Sequence, residues 1–287
     1  MSHPGTIQYI RESIKKELAE LYPEREINAI TEVLCIYRLD LKRHEIGLRK
    51  HEILLPPDRE WFDQAIRKLK EQVPVQHITG ETHFYDLRLR VSPAALIPRP
   101  ETEELVQWIL DDQPGSGTRI WDIGTGTGCI ALALAANLPE PRIYASDSEE
   151  EALDLARANA RDLRLEVEFF KHDILSGNPP PYLSHLDIIV SNPPYIPLKE
   201  KESLDPNVRD HDPDKALFVP DEDPLLYYRA FAIRELRILQ TGGKLYLEIH
   251  ENFAQPIRQL LEEEGYSDIT IRKDINGKDR MVRARRI

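Results

Sequence analysis

The chain has 287 residues, enough for one large domain or two modest ones, and its acids outnumber Lys and Arg by 50 to 38 for a formal charge of −12. That balance argues against a protein whose main task is gripping a nucleic-acid backbone, which demands a cationic face. No apolar run reaches the ~18 residues of a membrane-spanning helix, the start carries no charged-then-apolar leader pattern, and the two cysteines, Cys35 and Cys129, have neither metal nor redox spacing. A cytoplasmic protein in a reducing compartment is expected.

Ile7, Ile10, Ile14, Leu18 and Leu21 recur at spacings of three and four, which predicts a helix over 6–22. Pro23 opens a second helix carrying Ile27, Ile30, Val33, Leu34 and Tyr37. A short helical segment is expected near 42–49, and Asp58 is the expected N-cap of a helix with Trp61, Phe62, Ala65, Ile66 and Leu69. These segments make a small helical domain, residues 1–75, with no chemistry visible in it, so that packing or docking is its expected role. Residues 76–92 are read as a connector in which 82–85 and 87–91 form a β-hairpin turning near Asp86. Beyond it Pro93, Pro98 and Pro100 stiffen the backbone, and Glu101, Glu103 and Glu104 suit the positive end of the helix they open.

From 118 onward strands and helices alternate, which predicts an α/β domain, residues 93–287, with a mostly parallel sheet covered by helices on both faces. Strands are expected at 119–123, 142–146, 165–170, 186–191, 244–249, 268–273 and 281–286. Ser148 with Glu151 reads as a capping box for a helix over 149–161. Asp223 with Pro224 reads as the start of a helix running to Leu239, and Gly242-Gly243 as the turn into the next strand. Arg272, Lys273, Lys278, Arg280, Arg283, Arg285 and Arg286 crowd the end of the chain, which suits either a solvated edge strand or a partner-binding surface.

Three landmarks carry chemistry. Ile120, Trp121 and Ile123 form a short buried strand, Gly124, Gly126 and Gly128 a turn almost without side chains, and Ile130, Leu132 and Leu134 the start of a helix. Such a junction lets backbone amides touch a ligand. Cys129 stands where a dinucleotide fingerprint would need its third glycine, so that fingerprint is not matched. Asp147, at the end of the next strand, can accept both hydroxyls of a ribose, because an ionised carboxylate offers only acceptors. Asn192-Pro193-Pro194-Tyr195 follows the strand 186–191. An amide or aromatic amine is a poor nucleophile because its lone pair is delocalised. Asn192 can accept its hydrogens through the side-chain carbonyl, Pro193 through the backbone carbonyl, and Tyr195 offers a flat face to a planar group. All of these, with Asp173, fall beyond the carboxyl ends of the strands, where open α/β sheets bind ligands. The His-Glu pairs at 44–45 and 51–52 and the run Glu248 to Glu251 lack zinc-ligand spacing, and no metal is expected.

These residues resemble the class I S-adenosylmethionine-dependent methyltransferases with a seven-stranded sheet whose last strand is antiparallel. Leu96-Ile97-Pro98-Arg99-Pro100-Glu101-Thr102-Glu103, the loop Gly124-Thr125-Gly126-Thr127-Gly128, the Asn-Pro-Pro-Tyr block and Asp274-Ile275-Asn276-Gly277-Lys278-Asp279-Arg280 together resemble the peptide chain release factor glutamine N5-methyltransferase family. The resemblance implies methyl transfer from S-adenosylmethionine to the Gly-Gly-Gln glutamine of release factors, with S-adenosylhomocysteine as product and the helical domain docking the protein substrate. It implies that Gly124 to Gly128 hold the methionine part of the cofactor, that Asp147 holds the ribose, and that Asp173 and Ile174 border the adenine. Asn192, adjoining the cofactor, would with Pro193, Pro194 and Tyr195 hold the glutamine, and Leu96 and Arg99 would line its entrance. Residues 196–224 match the family loosely. The alternatives are a glutamine of a large-subunit ribosomal protein, an adenine-N6 nucleic-acid methyltransferase, whose basic groove the charge disfavours, and a cofactor-binding module without catalysis.

Overall fold

A computed structural model describes residues 3–234 and 237–287, and the chain divides into two units. The first runs to Gly80 and takes in Asp205–His211. It contains α1 (Ile7–Leu18), α2 (Glu24–Leu39), α3 (Arg43–Leu48), α4 (Pro56–Lys70) and α5 (Val75–Thr79). Ile7, Ile10, Ile14 and Leu18 meet Ile27, Ile30 and Leu34 and the Phe62, Ala65, Ile66, Leu69 face of α4 in one buried cluster. Helical spacing places each set on one stripe, and their mutual burial excludes water from it. The periodicity overreached at its edges, because Leu21, Val33 and Tyr37 are exposed. Helix α4 begins at Pro56 with Leu55 as N-cap, while Asp58 lies in its first turn and takes Arg38 Nε at 2.9 Å. Residues 76–80, read from sequence as connector, belong with the helices, since a five-residue helix is too short to show a period.

The second unit opens with the hairpin β1 (Glu81–Phe84) and β2 (Leu87–Arg90), then α6 (Pro100–Asp111), β3 (Arg119–Ile123), α7 (Cys129–Asn137), β4 (Arg142–Asp147), α8 (Glu150–Leu163), β5 (Glu168–Lys171) and β6 (Leu186–Ser191). A two-residue β7 (Ile196–Pro197) follows, then the short helical turns α9 (Pro206–Arg209, in the first unit) and α10 (Asp214–Leu217), and β8 (Phe218–Val219), which pairs with β7. The chain ends with α11 (Leu226–Arg234), β9 (Leu239–Glu248), α12 (Ala254–Glu263), β10 (Tyr266–Lys273) and β11 (Asp279–Arg286).

The main sheet has seven strands in the order β10-β11-β9-β6-β3-β4-β5, parallel except for β11, which runs antiparallel to both neighbours. Successive strand residues face opposite sides. Trp121, Ile189, Leu245 and Leu247 therefore join α11 and α12 in one core, and Ile120, Ile188, Val190 and Tyr246 join α6 and α7 in another. The chain leaves β3 toward β4 and β5 and returns to β6 on the other side of β3, so the order reverses between β3 and β6 and opens a crevice there.

Several local expectations are corrected. Ser148 does not cap α8, whose N-cap is Glu149 without a side-chain bond; Asp147 Oδ1 accepts the Glu149 amide at 3.1 Å instead. Asp223 binds Arg229 at 2.8 Å, and its helix begins three residues later, at Leu226. The expected course of that helix through 235–236 lies outside the described residues, and Leu239 already belongs to β9. Gly242-Gly243 is no turn but an irregularity inside β9, where the register against β6 shifts between Leu186 and Ile188. Among the described residues no helix is long and apolar enough to cross a membrane.

Gly128 has φ +83°, and a Cβ there would stand 3.2 Å from the Ala156 Cβ of α8 and 3.1 Å from Leu132. Gly128→Ala is expected to destabilise the fold by about 1–3 kcal/mol, read as a lowered midpoint in urea unfolding with an unchanged slope.

Candidate active site

The crevice begins with a backbone that favours glycine. Gly124 and Gly126 have φ of 71° and 55°, so the chain doubles back after β3 with its amides turned toward β4. The Gly124 and Thr125 amides donate to Ser146 O at 2.8 and 2.9 Å, and the Gly126 amide donates to Asp147 Oδ2 at 2.9 Å. Burial pushes the Asp147 carboxyl pKa up, against the lowering effect of the Gly126, Glu149 and Ser148 amides. Below the loop, buried Asp122 Oδ2 accepts the Thr125 hydroxyl at 2.6 Å and the Ala131 amide at 3.3 Å. Burial pushes its pKa up to about 7. Asn159 on α8 finishes the frame, its side chain bonding Thr127 O at 2.9 Å and both backbone groups of Arg90 on the hairpin.

An open cavity lies above this loop. Gly124, Thr125, Gly126, Thr127, Asp147, Asn192, Pro194, Leu96 and Arg99 all line it. Gly128 does not; it caps α7 and serves packing. Asp173 and Ile174 also lie off the lining. The Asp173 carboxylate bonds Ser176 Oγ at 2.7 Å and Leu175 N at 2.9 Å, which holds its pKa below the usual value, and Ile174 is buried in the core. Pro193 and Tyr195 are also outside the lining; the Tyr195 ring packs against the core and beside His250. Sequence reasoning missed Tyr227, Lys215 and Thr102 as lining residues and Asn159 as a brace. Burial, then Asp173, then Asp147 raises the Tyr227 phenol pKa, which sets this ring within the field of both acids. No short motif marks these residues, because tertiary packing alone brings them to the crevice.

Asn192 follows the last residue of β6. Its Nδ2 donates to Thr102 Oγ1 at 3.0 Å, and Thr102 Oγ1 donates to Glu248 Oε2 at 2.7 Å. Tyr195 O–H donates to the other oxygen, Glu248 Oε1, at 3.0 Å. Thr102 stands in the first turn of α6 and Glu248 at the end of β9, so three elements meet at one carboxylate. Burial raises the Glu248 pKa, opposed by the bonds from Thr102 and Tyr195 and by the charge of Arg280. Arg280 is itself held by Asp274 at 3.1 Å, and its guanidinium lies 6.0 Å from the Tyr195 ring centre.

The Pro-Arg-Pro-Glu-Thr block works through tethers. Arg99 Nη2 pairs with the fully buried Asp212 carboxylate at 2.5 Å, so its charge faces a fixed partner as well as the cavity. Glu103 accepts the Tyr85 amide and Glu104 the Ile275 amide, both at 3.0 Å, while Glu101 meets Asn276 Nδ2 at 3.4 Å. The three acids expected to favour the start of α6 therefore also anchor the hairpin and the turn that presents Arg280.

The arrangement offers a glycine-rich cradle, a carboxyl group beside it and a carboxamide on the same cavity. Fold and site define a class I methyltransferase. Residues 101–208 match the model of the methyltransferase small domain, and residues 10–80 that of the PrmC N-terminal domain. A methyltransferase from Pyrococcus furiosus shares the fold, with a TM-score of 0.51 and 19% identity over 69% of this chain and 88% of its own. A release factor glutamine methyltransferase from Bacteroides thetaiotaomicron is 41% identical over 95% of this chain and 98% of its own length. One from Flavobacterium psychrophilum is 37% identical over 96% and 98%. The chain belongs to the release factor glutamine methyltransferase family.

Asp122 supplies a pH signature. Its folded-state pKa of about 7 stands above the ordinary 3.8, so the folded protein holds a proton that the unfolded chain releases. The contribution of Asp122 to stability therefore falls as pH rises from about 4 to about 7 and levels off above. Asp122→Asn is expected to lose this slope, so that its stability relative to the parent improves across the window; urea unfolding at stepped pH measures it.

Proposed function

We propose that the protein transfers a methyl group from S-adenosylmethionine to the side-chain amide nitrogen of the glutamine in the Gly-Gly-Gln motif of peptide chain release factors, acting in the cytoplasm. The observation that carries the site reading is the Asn192 amide, held at one end by Thr102 on the wall of the cavity that also contains the glycine cradle and Asp147. Relatives of nearly equal length bear the release factor glutamine methyltransferase name, which favours this substrate over a ribosomal-protein glutamine or a nucleic-acid adenine.

S-adenosylmethionine supplies, when bound, a methyl group on a positively charged sulfur. Gly124 to Thr127 would leave room for its backbone-like part, and Asp147 would accept the ribose hydroxyls with the lone pairs its amide partners leave free. Tyr227 offers a flat apolar face on the same wall. Asn192 Oδ1 and the Pro193 carbonyl would accept the hydrogens of the glutamine NH2 and turn its nitrogen toward the methyl group. Formation of the N–C bond would leave the electron pair of the sulfur–methyl bond on sulfur, with S-adenosylhomocysteine as product. The nitrogen then sheds one proton to water. The chain contributes orientation and preorganised dipoles rather than a strong base. The helical unit would dock the release factor, a role supported by the exposed apolar residues Val33, Ile36, Tyr37 and Leu55.

Mass spectrometry of intact release factor after incubation with the protein and S-adenosylmethionine should show one added methyl group on the Gly-Gly-Gln glutamine. An unmodified glutamine, with cofactor binding demonstrated, would refute the assignment. Asn192→Ala should keep cofactor affinity and raise the barrier by about 2.7–4 kcal/mol, the size found for losing one preorganised polar contact. Asp147→Ala should instead weaken cofactor binding, measured by calorimetry, before it affects turnover at saturation.

A further inference from the structure

We propose that Thr102 and Glu248 act as positioning residues, a hydrogen-bond polarity lock that decides which end of the Asn192 amide faces the substrate. The proposal rests on Asn192 being the acceptor for the glutamine NH2. A carboxamide is nearly symmetric in shape but not in chemistry, since one end only accepts and the other only donates. Turned the wrong way, Asn192 would present an NH2 to the substrate's NH2, donor against donor.

Glu248 is 1% exposed, and its two oxygens are engaged by the Thr102 and Tyr195 hydroxyls at 2.7 and 3.0 Å. Each oxygen accepts one hydroxyl, so both hydroxyl protons point at the carboxyl group. Arg280, whose Nη1 also reaches Ile249 O at 3.4 Å, opposes through its charge the rise that burial gives the Glu248 pKa. Threonine has a single hydroxyl proton. Once it is committed to Glu248, only lone pairs remain toward Asn192, and only the Nδ2 end can satisfy them, at 3.0 Å. Oδ1 is thereby the end left over, and among the described residues no donor bonds to it. The direction of every bond follows from one buried acceptor, passed through Thr102 to the amide. Tyr195 is oriented by the same carboxylate, so both ends of the Asn-Pro-Pro-Tyr turn refer to Glu248.

The test uses the full-length protein with intact release factor and measures kcat, KM and, by calorimetry, the Kd for S-adenosylmethionine. Thr102→Val keeps the shape and removes the relay; kcat should fall about tenfold, the worth of one neutral hydrogen bond, with Kd for the cofactor unchanged. Thr102→Ser restores the hydroxyl and should restore kcat. Glu248→Gln, which can donate toward Thr102 and so reverse the relay, should also lower kcat with little change in cofactor affinity. Equal kcat in Thr102→Val and the parent overturns the lock, as does a Thr102→Ser variant as slow as Thr102→Val, which would mark a packing effect. Asn192→Ala distinguishes the two levels. A slow Asn192→Ala beside a fast Thr102→Val removes only the lock, whereas parent-like turnover in Asn192→Ala removes the acceptor role and the lock with it.

Discussion

Asp122 lies beneath the turn that joins β3 to α7, and its Oδ2 receives both the Thr125 hydroxyl and the Ala131 amide. One carboxyl group thus ties a glycine-rich loop to the start of an apolar helix. Without such an anchor, three glycines at positive φ would leave the loop many conformations to lose on binding. Held in place, it aims the Gly126 amide at Asp147 and leaves a cradle beside a carboxylate. Ser191 Oγ donates to Ile123 O at 2.6 Å and so binds the end of β6 to the end of β3, which keeps Asn192 at a set distance from that cradle.

The opposite wall depends on a second buried acid. Glu248 gathers α6, the Asn-Pro-Pro-Tyr turn and, through Arg280, the Asp274 turn. Asp274 Oδ1 accepts the Asn276 and Lys278 amides at 2.9 and 3.0 Å, so the tight turn exists to carry Arg280 back to Tyr195 and Glu248. Motifs far apart in the chain are in this way parts of one electrostatic unit. A lone buried carboxylate would be costly, and the network makes it tolerable by supplying two hydroxyls and a cation.

The basic end of the chain, open between two readings in the sequence, is largely consumed within the protein. Arg283 meets Asp112 at 2.8 Å and lies over Trp108, Arg272 reaches Asp111 at 3.6 Å, and Lys278 reaches Glu251 at 3.1 Å. Asp112 also takes Lys244 at 2.5 Å and the Tyr246 hydroxyl. Strand β10 is an edge of the sheet; Arg272 meets an acid of α6, while Lys273 pairs with Asp279 and Arg285 with Asp268 between β10 and β11. The net charge of −12 therefore conceals a local neutralisation that composition could not show.

The alternation of strand and helix, the glycine turn, Asp147 and Asn192 were legible because each depends on local chemistry: side-chain period, positive φ, and a strand's carboxyl end. Helix caps were legible only in part, since Asp58, Ser148 and Asp223 satisfy the pattern of a cap while their side chains found other partners. The folding of 196–224 into β7, β8 and short turns escaped the sequence because two-residue pairings have no period. Tertiary structure alone decided that Tyr195 faces Glu248 rather than the cavity and that Tyr227, Lys215 and Thr102 join the wall. A sequence determines what a residue can do over one turn or one strand. Which long-range partner claims its lone pairs or protons is settled only when the sheet brings distant elements together.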